Sequence, residues 1–140
     1  MILLDTNVIS EMMRQRPEPL VCRWLDAQPL EELWTASVVL AELLSGVDLM
    51  PAGRRQDALR ASVEGMIVQE FRGRILTFDA SAARCYGSIR ASRQRAGSPI
   101  PEMDALIAAT AKTHGATLAT RNISDFEHCG IPLVNPWERP

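Results

Sequence analysis

Three consecutive apolar residues, Ile2-Leu3-Leu4, run straight into Asp5 with no turn residue between them. A short unbroken apolar run reads as a strand covered on both faces, the pattern of a parallel sheet. Asp5 then stands at the carboxyl end of that strand. Thr6 or Asn7 is placed to cap the helical pattern that follows, Val8 to Arg14. In open α/β sheets ligands bind outside the carboxyl ends of the strands, near a switch in strand order. Asp5 therefore has two readings, a helix cap or a member of a site.

The same patterns continue along the chain. Arg16-Pro17-Glu18-Pro19 is a break, and Pro19 suits the first turn of a helix over Leu20 to Ala27, ended before Pro29. Glu31 to Thr35 reads as a second strand. Ser37 is placed to cap Val38 to Leu44, with Gly46 near or inside the end of that helix. After the Pro51-Ala52-Gly53 turn, Leu59, Val63, Met66 and Ile67 recur at helical spacing between Arg54 and Glu70, and Gly73 ends the helix. Arg74 to Phe78 is a third strand, and Asp79 caps a helix through Arg95 whose apolar side is Ala82, Cys85, Tyr86 and Ile89. A loop with two prolines, 96–101, leads to an Ala-rich helix over Glu102 to Lys112 with Gly115 just past its end. Ala116 to Thr120 is a fourth strand. Residues 121–130 form a loop with one helical turn. Ile131 to Asn135 is an edge strand, because Pro132 cannot donate to a central ladder. Strands alternating with helices predict a three-layer α/β domain, its mostly parallel central sheet flanked by helices, in one domain over 1–140.

Composition narrows the class. The apolar share is 46% and the charged share 23%, as in ordinary globular domains. No apolar run approaches a membrane span, and the N-terminus lacks the layout of a signal peptide, so a cytoplasmic protein is expected. Cys22, Cys85 and Cys129 are too few and too scattered for a disulfide framework or a zinc knuckle. The net charge of −2 does not announce a nucleic-acid binder. The basic residues are unusual in kind, since Lys112 is the only lysine among 15 Lys and Arg. Arg84, Arg90, Arg93 and Arg95 crowd together, apart from the acids below, and could form a local basic lip whose planar guanidiniums suit phosphate.

Four of the 17 acidic residues stand in apolar surroundings. Asp5 follows Ile2-Leu3-Leu4; Glu42 lies within Val38 to Leu44; Asp104 lies between Met103 and Ala105-Leu106-Ile107; Asp125 precedes Phe126. An unpaired buried carboxylate is costly, so such groups are paired, protonated or bound to a cation. Few basic side chains lie near these four in sequence, which points to a cation from outside. Oxygen-only ligands select Mg²⁺ or Mn²⁺. Such ions bind phosphodiesters and activate water against them. Thr6, Thr120 and Asn122, polar and uncharged at strand ends, could orient the carboxylates or a water. Each acid also has a plainer reading: a cap, a first-turn acid or a surface position.

The residues resemble the PIN-domain ribonucleases, in particular the VapC-type toxins and their FitB-like relatives. The matching stretches are Leu4 to Glu11, Ser37 to Leu43, Pro101 to Ala111, Leu118 to Phe126 and Val134 to Trp137, in the family's order from end to end. The resemblance implies a Mg²⁺- or Mn²⁺-dependent endoribonuclease, the toxin of a toxin–antitoxin pair. It places Asp5, Glu42 and Asp104 on the family's acidic metal positions. Asp125 falls in a fourth, more variable region, where Asn122 could share or replace its role. Thr6 and Thr120 match polar positions near the metal. A homodimer and a VapB-like or FitA-like antitoxin that blocks the active site are also implied.

Other classes fit less well. An aspartyl phosphatase of the haloacid-dehalogenase type needs a second Asp where Asn7 stands, and a phospho-accepting receiver needs an acidic pair and a late lysine. A catalytically silent PIN-like module acting only as a partner in a repressor complex is the remaining alternative. No phosphate-binding glycine loop is present, and His114 and His128 lack metalloprotease spacing. Trp24, Trp34 and Trp137 are expected to pack rather than stack on bases.

Overall fold

Leu3 and Leu4 are adjacent on the first strand, so their side chains leave opposite faces of the sheet, and neither is exposed to solvent. Leu118 and Ala119 repeat this on the neighbouring strand. The sheet is thus covered on both sides, which explains the unbroken apolar runs. The computed structural model describes residues 1–140.

Five strands, β1 (Ile2–Leu4), β2 (Leu33–Ala36), β3 (Ile75–Leu76), β4 (Thr117–Ala119) and β5 (Leu133–Val134), form one sheet in the order β3-β2-β1-β4-β5. Every pairing is parallel, with Leu3 opposite Trp34 on one side and Leu118 on the other. Seven helices flank the sheet: α1 (Thr6–Met12), α2 (Pro19–Asp26), α3 (Ser37–Asp48), α4 (Arg54–Gly65), α5 (Ala80–Arg95), α6 (Glu102–Thr113) and α7 (Ile123–Phe126). The chain builds outward from β1 to β3, then returns to the other side of β1. The switch in strand order therefore lies between β1 and β4. Asp5 follows one of these strands and Thr120 the other.

Several boundaries differ from the expected ones. Asp5, not Thr6 or Asn7, is the N-cap of α1. Ser37 is the first residue of α3 rather than its cap; Ala36 holds the cap position, with no side-chain hydrogen bond, and Ser37 is exposed. The second strand begins at Leu33, because Leu30–Glu32 turn as a short 3₁₀ segment. The long helix after Arg54 widens at its end into a π turn over Met66–Glu70, closed by Phe71 N–H donating to the Met66 carbonyl at 2.9 Å. The third strand shortens to Ile75–Leu76. Asp79 caps α5 as expected, accepting from Ala82 N–H at 2.9 Å. Gly115 takes φ +65° after α6, the left-handed position that favours glycine. Pro132 leads into β5 at the sheet edge. All three cysteines are free, and no helix is long and apolar enough to cross a membrane.

Candidate active site

A cleft of about 450 Å³ opens at the carboxyl ends of the central strands. Asp5, Thr6, Asn7, Ser10, Glu11 and Arg14 line it from the β1–α1 segment, Glu42 from α3, Asp104 from α6, Arg121 and Asn122 from the loop after β4, and Trp137 from the C-terminal segment. Trp137 is the single hydrophobic lining residue. Three of the four expected acids therefore share one cleft, lined almost entirely by polar residues. Asp125 does not line it, although its charge acts on Asp104; Asn122 does.

Asp5 is the most constrained of these side chains and is 4% exposed. Its Oδ1 accepts the Thr6 N–H at 2.7 Å, closing the first turn of α1. Its Oδ2 accepts the Thr120 hydroxyl at 2.7 Å and the Asn7 amide at 3.2 Å. The Asn7 amide also reaches Thr120 Oγ1 at 3.3 Å, and Thr120 Oγ1 accepts Asn122 N–H at 3.1 Å. Asn7 Oδ1 accepts Arg121 N–H at 3.2 Å. The two loops at the switch point are thus tied to each other through one carboxylate, so the cap reading and the site reading of Asp5 describe the same residue.

Burial pushes the Asp5 carboxyl up from its ordinary range. The hydrogen bonds from Thr120 and Thr6 oppose this, while the Glu42 charge adds to it. Asp104, in the first turn of α6, is raised to about 6, first by burial and then by the charges of Asp5, Asp125 and Glu42, with Arg93 pulling the other way. Mutual repulsion favours spacing like charges apart. No three acidic, His or Cys side chains stand around one point at ion-ligand spacing. The donor set is nonetheless all oxygen, as hard divalent cations require. The Thr6 hydroxyl beside it is buried without a hydrogen-bond partner, a polar atom with capacity left for a ligand shell.

A match to the PIN-domain family model extends over residues 2–130. The chain belongs to the PIN-domain family. Over 99% of both chains, this PIN domain is 43% identical to VapC ribonuclease Y4jK of Sinorhizobium fredii. It is 42% identical to Toxin FitB of Neisseria gonorrhoeae, over 98% of this chain and 99% of that one. Its fold superposes on the solved structure of FitAB bound to an IR36 DNA fragment with a TM-score of 0.91, at 41% identity, covering 100% of this chain and 98% of that one.

The PIN domain corrects one member of the arginine group. Arg93 is 5% exposed and does not join a surface lip. Its guanidinium donates to the carbonyls of Ser98 at 2.7 Å, Asp125 at 2.8 Å and Glu127 at 3.1 Å. It is a buried tie holding the α7 segment. Arg84, Arg90 and Arg95 are exposed and line neither this cleft nor the groove beside it. Arg90 lies against Tyr86, 5.7 Å from the ring centre, and donates to its hydroxyl at 3.2 Å.

Six lining residues are not expected at the site from the sequence: Asn7, which reads there only as a possible helix cap, and Ser10, Glu11, Arg14, Arg121 and Trp137. Asn7 and Ser10 or Glu11 recur at helical spacing on one face of α1, which Asp5 caps, and Arg14 continues the spacing two residues past its end. That spacing was the available signal for α1. Glu11 is buried. Burial alone would raise its carboxyl, but Arg14, at 3.1 Å, and Glu18 N–H, also at 3.1 Å, hold it below the usual carboxylate range. It is a paired structural acid, unlike Asp5 and Asp104.

Proposed function

We propose that this chain is a Mg²⁺- or Mn²⁺-dependent endoribonuclease and the toxin of a toxin–antitoxin pair. The observation that carries the reading is the shared cleft of Asp5, Glu42 and Asp104 at the switch point of a parallel sheet, in a chain whose relatives at 42–43% identity are named ribonuclease and toxin. Asp5, Glu42 and Asp104 would hold the cation, with the Asp125 charge adding to the negative potential at Asp104 and Asn122 offering a neutral oxygen at the rim. A bound divalent ion supplies Lewis-acid charge at a phosphodiester and makes water a better nucleophile near neutral pH. The chain's own residues do the positioning. Thr120, Thr6 and Asn7 fix the Asp5 carboxylate in one orientation, which is how supporting hydrogen bonds tune a ligand. The carboxyls of Asp5 and Asp104 are raised first by burial and then by the charges of neighbouring acids, and a cation would offset both costs.

A second groove of about 1050 Å³ continues from the cleft between α1, α3 and α4, sharing Thr6, Ser10, Arg14 and Glu42 with it. Met13, Leu43, Val47, Met50, Leu59 and Val63 make it largely apolar along its length. In this reading an antitoxin segment lies in that groove and ends over the acids, and the toxin is a cytoplasmic homodimer.

The test is cleavage of RNA with and without Mn²⁺. Asp5→Asn, Glu42→Gln and Asp104→Asn should each abolish cleavage while the protein still unfolds cooperatively. A parent that cleaves equally well in excess chelator would overturn the metal-dependent reading. Retained cleavage by Asp104→Asn would remove that residue from the site.

A further inference from the structure

Arg121 is the one cation at the acidic cleft without a polar partner. Arg14, the other lining cation, is paired with Glu11. The Arg121 guanidinium makes no ion pair and donates no hydrogen bond, although it borders a cleft of carboxylates. It lies instead over the indole of Trp137, 5.2 Å from the ring centre, within the range of a cation–π contact. Both partners are anchored through their backbones. Arg121 N–H donates to Asn7 Oδ1 at 3.2 Å, and Trp137 N–H donates to Asn135 Oδ1 at 3.0 Å. Asn135 is itself held by Glu138 at 3.2 Å. Trp137 is half-buried and packs in part against the hydrophobic core, as expected of it, but it also lines the cleft beneath the Arg121 guanidinium, so the pair brings an aromatic ring and one positive charge beside the acids.

We propose that Arg121 and Trp137 form a nucleotide subsite that takes an unpaired RNA base next to the scissile phosphate; this rests on the ribonuclease reading above. The chemistry matches the ligand on both counts. A nucleotide offers a π face, which stacks on indole rings and guanidinium planes, and an anionic phosphate, which Arg grips as a planar fork. A duplex hides its base faces in the stack. The subsite therefore selects single-stranded or loop RNA at the cleavage point. Stacking is tolerant of base identity, so the pair sets strandedness more than sequence.

The experiment compares the parent, Trp137→Leu, Trp137→Phe and Arg121→Gln on a short single-stranded RNA of mixed sequence, on that RNA annealed to its complement, and on single-site abasic versions of it. Thermal unfolding of each variant is measured alongside. Trp137→Leu should raise KM on the single strand roughly tenfold with little change in kcat. Trp137→Phe, which keeps a ring, should recover most of that loss. Arg121→Gln should lower the slope of log affinity against log salt by about 0.7, the contribution of one phosphate contact on a single strand. The parent should lose affinity when one particular base is removed, and Trp137→Leu should not lose more. If Trp137→Leu fails to fold, Arg121→Gln at its exposed position carries the test. Unchanged KM and salt slope in a parent background that cleaves RNA would overturn the subsite and leave the nuclease reading standing. So would a defect confined to binding of a protein partner. A parent that cleaves no RNA would overturn both.

Discussion

Arg93 and Asp125 are joined by a 2.8 Å hydrogen bond from a buried guanidinium to a backbone carbonyl. The same guanidinium serves Glu127 and Ser98, so one side chain of α5 holds α7, the residue that follows it and the loop between α5 and α6. Arg93→Met would leave these carbonyls without their donor, at about 1–3 kcal/mol for each one that water cannot reach. A destabilisation of ~3 kcal/mol is expected in thermal unfolding, with Arg93→Lys intermediate because it lacks the fork. Cleavage should fall as well, since the segment carrying Asp125 loosens. Unfolding at the parent's temperature would show that the tie is dispensable.

Asp104 should make the fold less stable as pH rises. Its carboxyl titrates at about 6 in the fold, against 3.8 as the ordinary value, so between these values the folded chain holds the proton more often than the unfolded one. Stability therefore drops as pH climbs through that window, and the full penalty persists above it. Asp104→Asn removes the penalty. After discounting for partial solvent screening, the variant should be more stable than the parent by about 1 kcal/mol at pH 7. The difference should vanish below the ordinary carboxylate value. Denaturant melts at pH 3.5 and 7 in chelator check this, and equal stability at pH 7 would contradict it.

Thr120→Val keeps the side-chain volume and removes the 2.7 Å donor to Asp5. The Asp5 carboxyl should move further up, since that hydrogen bond is the largest influence lowering it. Loss of such a supporting bond lowers activity or metal affinity roughly 10–100-fold in metal sites. The comparison is cleavage rate against Mn²⁺ concentration for parent and variant. A curve that superposes on the parent's would separate Thr120 from the chemistry.

Arg84, Arg90 and Arg95 remain exposed candidates for RNA backbone or antitoxin contact, away from the cleft. Reversing all three to Glu should weaken RNA binding and flatten its salt dependence. Titrations from low to physiological salt measure both. An unchanged slope would mark them as a solvated helix face.

The sequence was most informative where structure is local. Ile2-Leu3-Leu4-Asp5 is a strand and its end because both faces are covered, and the apolar setting of Asp5, Glu42 and Asp104 is visible within a few residues of each. Long-range facts were not legible. Arg93 looked like its exposed neighbours because the carbonyls it serves at Asp125 and Glu127 lie 32 and 34 residues away. Trp137 reaches the cleft only because β5 returns beside β4, which places the C-terminal segment against Arg121. Ser37 has a cap's chemistry, but Ala36 at the end of β2 already occupies the turn into α3, so tertiary placement overrides propensity.

Asp5 uses one oxygen to close α1 and the other to face Thr120. An amide at this position still presents an oxygen to the Thr6 N–H, and the Thr120 hydroxyl can turn to accept from its amine, so the chain can lose its charge at the cost of the Asn7 contact and still close α1. On the proposed reading, a disarmed copy would still offer the groove between α1, α3 and α4 to the same antitoxin. It would soak up inhibitor while contributing no cleavage. A second, silent gene for this chain in the same cell would then act as a decoy that liberates its active sibling.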